Sequence, residues 1–153
     1  MPKYYRRKYY RGGRDKYSIE QNAFDLVTNT DGDGGQTIVP AATVQGMRKV
    51  KHITISMGTA AEASTVANVI YWAIVYVPGG TSPNTLVING GSLYEPNQYV
   101  MGCGVFDFDG GPLRVHCPLS RNLNSGDSIA LVCHTNGGQK SYQTLVTYAI
   151  TLQ

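Results

Sequence analysis

Histidine is scarce in this chain, cysteine occurs in odd number, and long apolar runs are missing. Only His52, His116 and His134 are present and no His-x-His pair occurs, so the metal cluster of double-stranded β-helix enzymes has nothing to be built from. Cys103, Cys117 and Cys133 lack paired short spacings, which argues against an extracellular disulfide framework and for free buried thiols in a reducing compartment. His116-Cys117 and Cys133-His134 are neighbours in sequence; on a strand, adjacent side chains point to opposite faces, so each pair offers one ligand to any one site. Even with Cys103 as a third donor this does not make a closed zinc centre. No local motif positions a base or an oxyanion hole beside a cysteine, so a Cys-His nucleophile is equally unsupported. The longest apolar run, Val69–Val77, falls far short of the ~20 residues of a membrane helix. No apolar core follows the basic start, which argues against a signal peptide, and no Asn-x-Ser/Thr acceptor occurs. The expectation is a soluble chain with no membrane partner, no cofactor, no metal and no catalytic site.

What the chain does contain is strand and turn chemistry. Its 153 residues include 18 Gly and 11 Tyr, and they are enough for one hydrophobic core without staples. Branched and aromatic residues fit a pleated surface, and glycine-rich punctuation at short intervals reads as an all-β sandwich. The expected strands are Tyr17–Thr28, Gly46–Met57, Val69–Val77, Thr85–Ile88, Gln98–Phe106, Leu113–His116, Ser128–Cys133 and Ser141–Leu152, with a short extended piece at Gln36–Ala41. Thr30–Gly35 reads as a turn, and Thr59–Asn68 as a loop or one helical turn. That gives about eight strands, the number of a jelly roll. Asp31, Asp33, Asp107 and Asp109 lie in Asp-Gly contexts without the spaced ligands of a calcium loop, so turn formation explains them. In Gly46–Met57, alternation places Ile53, Ile55 and Met57 on one face and carries Lys49 and Lys51 along that face to a rim. Trp72 alternates with Ile70 and Ile74 and is expected in the core. Tyr94, Tyr99 and Tyr142 are the aromatics that a sugar-binding surface would need to expose.

Charge divides the chain in two. Met1–Tyr17 holds seven Lys or Arg against one Asp, a net +6, and the remaining six Lys or Arg meet nine Asp or Glu, a net −3. Residues 1–17 therefore read as a basic arm and 18–153 as the folded domain. In the arm, Lys3, Arg6, Arg7, Lys8, Arg11, Arg14 and Lys16 interleave with Tyr4, Tyr5, Tyr9 and Tyr10. Cations neutralise phosphates and tyrosine rings stack on unpaired bases, the combination that binds single strands without regard to sequence. Arg11-Gly12-Gly13 adds an RGG-like element. Arg48, Lys49 and Lys51 are expected to extend this cationic track onto the domain. Host nuclear import receptors also read Lys/Arg clusters, which makes such a receptor a second candidate partner of the arm. A non-capsid single-strand-binding protein, with an RGG-like tail on a β-sandwich, would share all these features.

Three segments carry a family resemblance. Val69-Ile70-Tyr71-Trp72-Ala73-Ile74-Val75-Tyr76-Val77-Pro78-Gly79-Gly80, Ser92-Leu93-Tyr94-Glu95-Pro96-Asn97-Gln98 and Leu119-Ser120-Arg121-Asn122-Leu123-Asn124-Ser125-Gly126-Asp127-Ser128-Ile129 resemble, in order and character, capsid proteins of circovirus-like, Rep-encoding circular single-stranded DNA viruses. The resemblance spans about Ile53 to Leu131. It implies an eight-stranded jelly-roll shell domain that self-assembles with about sixty copies of itself in the simplest icosahedral arrangement. It also implies arms turned inward onto a single-stranded DNA genome, and no catalysis. The chain departs from better-known circoviruses in its short length and in a less arginine-dense arm.

Overall fold

The computed structural model describes residues 17–59, 69–83, 99–136 and 138–152. The arm residues 1–16, the expected strand Thr85–Ile88, Tyr94 and nearly all of the Thr59–Asn68 segment lie outside these residues.

Two antiparallel sheets form a sandwich. The first contains β1 (Ser18–Val27), β9 (Ser141–Leu152), β3 (Arg48–Thr59) and β6 (Leu113–Cys117) in that spatial order, with the short β7 (Arg121–Leu123) paired beside β3. The second contains β2 (Asp33–Val39), β8 (Ser128–Thr135), β4 (Val69–Val77) and β5 (Val100–Asp107). With β7 set aside, the chain weaves between two four-stranded sheets as in a jelly roll, where paired Greek keys bury one face of each sheet. The expectation differs in two details. Among the described residues there are nine strands, because the extended piece at Gln36–Ala41 falls mostly within β2 and Arg121–Leu123 pairs with Arg48–Val50 as an unforeseen three-residue strand. The turn after β1 closes at Gly32, so that Asp33 already pairs with His134 in β2.

Alternation explains the core. On β9, Tyr142, Thr144, Val146, Tyr148 and Ile150 all point inward and are buried. They meet Ile53, Ile55 and Met57 of β3 and, from the opposite sheet, Ile70, Ile74, Ile129 and Leu131 in one contiguous cluster. Each fully buried aliphatic side chain contributes about 1.5–3 kcal/mol. Trp72 packs against this cluster from its margin, and its indole occupies the space over Gly104 that a Cβ would need, at 2.9 Å. Tyr142 has 0 % exposure and stacks on Phe108 at 5.2 Å, which removes it from any sugar-binding surface. Tyr99 stacks on Tyr76 at 6.2 Å.

A carboxylate ties one end of the sandwich together. Asp127 is buried and accepts hydrogen bonds from the Tyr76 hydroxyl (2.7 Å), the Asn124 N–H (2.8 Å) and the Gly79 N–H (3.0 Å). The Arg121 guanidinium lies 4.2 Å over the Tyr76 ring. Burial alone would push the Asp127 carboxyl up, but these donors outweigh it and hold it below the usual carboxylate value. Burial, then the bond to Asp127, pushes the Tyr76 hydroxyl the other way. Among the described residues the helical content is a 3-10 turn, Phe108–Gly110, and no helix is long and apolar enough to cross a membrane.

Two outcomes test this construction. Gly32 has φ +88° and a Cβ there would lie 1.9 Å from the Thr135 carbonyl oxygen, so Gly32→Ala is expected to cost at least about 2 kcal/mol in denaturant unfolding. Asp127 has a depressed folded-state pKa, so its network stabilises above the ordinary carboxylate range and is lost as pH falls through the folded-state value. Asp127→Asn should therefore cost about 2 kcal/mol at neutral pH and show a smaller fall in melting temperature than the parent between pH 5 and pH 3.

Candidate nucleic-acid interface

The positions of Lys49 and Lys51 depend on a bulge. Between Lys51 and Thr54 strand β3 advances three residues while its partner β9 advances two, from Ala149 to Thr147. The extra residue is His52, in the left-handed region at φ 56°. One inserted residue inverts the alternation beyond it. Val50 therefore shares the buried face with Ile53, Ile55 and Met57, while Lys49 and Lys51 point to the outer face of the first sheet. This corrects the sequence-derived parity, which set both lysines on the face of Ile53. Arg48 is separated from them: it aligns with Val50 on the inner side, and its Nη2 donates to the Pro40 carbonyl at 2.8 Å.

The outer face can be laid out by register. Lys49 lies between Thr151 and Asn122, Lys51 beside Ala149, Thr54 between Thr147 and His116, and Ser56 between Leu145 and Arg114. Cross-strand neighbours on one face stand about 5 Å apart, so Lys49, Lys51, His52, His116 and Arg114 form a band along β3 and its neighbours. The His52 and His116 rings stack at 5.9 Å with 13° between their planes. Thr54 Oγ1 lies 3.0 Å from His116 Nδ1 and holds that ring in place. The Lys51 ammonium sits 3.4 Å from the centre of the Tyr17 ring. Tyr17 directly precedes β1, so the chain enters the sheet over this face.

Such a surface supplies separated cations for phosphates and flat rings for bases. Of the sequence-derived candidates, Lys49 and Lys51 fall within it, Arg48 falls outside it, and Lys3, Tyr4, Tyr5, Arg6, Arg7, Lys8, Tyr9, Tyr10, Arg11, Arg14 and Lys16 lie outside the described residues. Sequence reasoning missed Arg114, His52, His116 and Tyr17. Alternation within Leu113–Cys117 could have told that Arg114 and His116 share a side, since Leu113 and Cys117, buried on either side of them, and the half-buried Val115 between them share the other. It could not have told that this side adjoins Lys51.

The second sheet has a different outer face. Ala73 and Val132 are buried there with Val75 packed against them, and Val105 is 60 % exposed. Its polar element is His134, whose Nδ1 lies 2.7 Å from Asp33 Oδ1. Asp33 and Asp31 also donate their backbone N–H groups to Asn29 Oδ1 at 2.9 Å, and Asp107 Oδ1 accepts from the Asp109 N–H. The aspartates thus play unlike parts: the Asp107 carboxylate caps the 3-10 turn as expected, while Asp33 stands in β2 with its carboxylate on His134 rather than in a turn. His116 and His134 end on opposite outer faces of the sandwich, each with its neighbouring cysteine turned inward, so the two His-Cys pairs do not converge. Among the described residues no group of three metal-ligating side chains occurs.

All three cysteines are free. Burial, then the Asp33 charge, pushes the Cys133 thiol up to about 12, and Cys117 is buried while Cys103 is exposed. Maleimide labelling of the native chain at neutral pH is therefore expected to modify Cys103 rapidly, with Cys117 and Cys133 reacting only on unfolding; peptide mass analysis reads the result.

No family model matches the chain, and no curated protein matches it. Among solved structures it is similar to the VP2 subviral particle of infectious bursal disease virus, at 13 % identity and a TM-score of 0.40, covering 91 % of this chain and 33 % of that one. It is similar to a structure of the Gx strain of the same virus at 12 % identity and a TM-score of 0.40, covering 90 % and 32 %. A third likeness, to Desmodium yellow mottle tymovirus, has 8 % identity and a TM-score of 0.30 and covers 100 % of this chain and 95 % of that one. The chain spans about a third of the length of the two bursal disease virus chains.

Proposed function

We propose that this protein is a viral shell subunit: a jelly roll that assembles with copies of itself into a small icosahedral particle and holds single-stranded DNA against the outer face of its first sheet. The observation that carries the reading is the gathering of Lys49, Lys51, Arg114, His52 and His116 on one face, with Tyr17 stacked on Lys51 at the point where the arm begins. In a domain of net −3, three of the six Lys and Arg, namely Lys49, Lys51 and Arg114, lie together on this face, which gives it the locally positive potential that phosphate needs. In a shell that side faces inward, where the arm's +6 adds to it. The opposite sheet face and the exposed Val44 and Leu119 of the connecting loops supply apolar surface for contacts between subunits. DNA rather than RNA follows from the family resemblance of the three sequence segments, since no reader of a 2′-hydroxyl is identifiable. The reading assigns no catalysis, places the protein in the virion, and leaves the arm open to a nuclear import receptor during assembly.

Negative-stain imaging and nuclease protection of the purified full chain test this together. The expected result is uniform closed particles containing protected single-stranded DNA. The triple variant Lys49→Gln, Lys51→Gln, Arg114→Gln should still assemble but protect less DNA, with the log–log salt slope of single-strand binding shallower by about 2, at ~0.7 per phosphate contact. Small species that bind single strands and never close would instead support the RGG-tailed binding protein. Unchanged DNA content in the triple variant would remove the sheet face from the interface.

A further inference from the structure

At the Arg114 end of the basic band the same face opens into a trough of about 590 Å³. Its lining includes Ala23 and Asp25 of β1, Gln143 and Leu145 of β9, Ser56 and Gly58 of β3, and Pro112. The register sets these in two rows across the sheet: Asp25, Gln143, Gly58, and below them Ala23, Leu145, Ser56. The inward-pointing Met57 and Thr144 in the same lining are buried, so the trough opens outward. Gly58 makes the depression, because nothing lies within 4 Å of where its Cβ would stand. From Asp25 to Gly58 is two strand spacings, about 10 Å, which accommodates a bicyclic base.

The chemistry of the trough runs against that of the band beside it. Among the described strand residues Asp25 is the single acid on this face. Its carboxylate repels phosphate, and it has no salt bridge with another described residue; the ion pair found among these residues is Asp33–His134. One carboxylate without histidine neighbours does not make a metal site. An occupant must therefore bring hydrogen-bond donors and no negative charge of its own, while its attached phosphate reaches Arg114, which stands next to Ser56 in register. Of the four bases only guanine presents two adjacent donors, N1–H and N2–H, on its Watson–Crick edge, the arrangement that the two oxygens of a carboxylate accept together. Leu145, Ala23 and Pro112 offer apolar contact to the ring, and the Gln143 amide supplies a donor and an acceptor beside Asp25.

We infer that this trough is a nucleobase pocket that takes an unstacked guanine of the packaged single strand, Asp25 reading its N1–H and N2–H edge and Arg114 holding the adjoining phosphate. The inference rests on the proposed placement of single-stranded DNA on this face. It adds a preference for guanine to a surface otherwise indifferent to sequence.

Fluorescence anisotropy of the full-length chain with the DNA heptamers TTTGTTT, TTTATTT, TTTCTTT and TTTTTTT tests it. The expected result is binding of TTTGTTT at least about fivefold tighter than the other three. Asp25→Asn should bring TTTGTTT to the level of TTTTTTT without weakening the latter, which the removed repulsion can only strengthen. Gly58→Leu fills the trough from a position whose backbone any residue can adopt, and it should abolish the preference in the same way. Equal affinity for all four heptamers, or a guanine preference that survives both substitutions, overturns the pocket and leaves the shell reading standing. Failure of every heptamer to bind the parent chain overturns both.

Discussion

Strand β3 carries one residue more than β9 over the same stretch of sheet, and the charge distribution of the molecule depends on it. Were β3 regular, Lys49 and Lys51 would continue the side of Ile53 and Ile55 and run into the closed end of the core, where an unpaired ammonium costs several kcal/mol. The bulge at His52 turns them outward, returns Val50 to the core and swings an imidazole onto the stack with His116. A non-glycine residue held at φ 56° carries backbone strain of about 1–3 kcal/mol. The flanking pairs of β3 with β9, β6 and β7 keep it there, and two lysines on the solvent side are the compensation.

The two outer faces of the sandwich then differ in character. One carries Lys49, Lys51, Arg114 and flat rings beside Tyr17, together with the exposed Ile19 and Leu145; the other carries the Asp33–His134 pair, with Ala73 and Val132 buried and Val105 exposed. The Asp127 network fixes one end of the sandwich by joining β4, the turn after it and the approach to β8 through a single carboxylate.

Much of the fold is legible in period-2 alternation. Ser141–Leu152 is readable from end to end, because every second residue is apolar or can be buried and no glycine interrupts it. Val69–Val77 is apolar on both sides, and its place in the middle of a sheet between β8 and β5 follows from that. The three-residue β7 carries no such signal: Arg121-Asn122-Leu123 is too short to alternate, and it is a strand because Arg48–Val50 offers it an open edge. The bulge was invisible for a related reason. Histidine has no particular claim on the left-handed region, and nothing in Val50-Lys51-His52-Ile53 marks where an extra residue is spent.

By itself the sequence determined the class of the fold, the inward residues Ile53, Ile55 and Met57 and those of Ser141–Leu152, and the segregation of positive charge into the first seventeen residues. These depend on composition and on local periodicity, which a chain carries wherever its parts end up. Tertiary structure alone decided that Lys51 lies beside Tyr17, that Arg114 and His116 of one strand complete a band begun on another, and that Asp25, Gln143 and Gly58 border one trough. Those are relations across strands distant in the chain, set by register and by a one-residue bulge, and no local pattern encodes either.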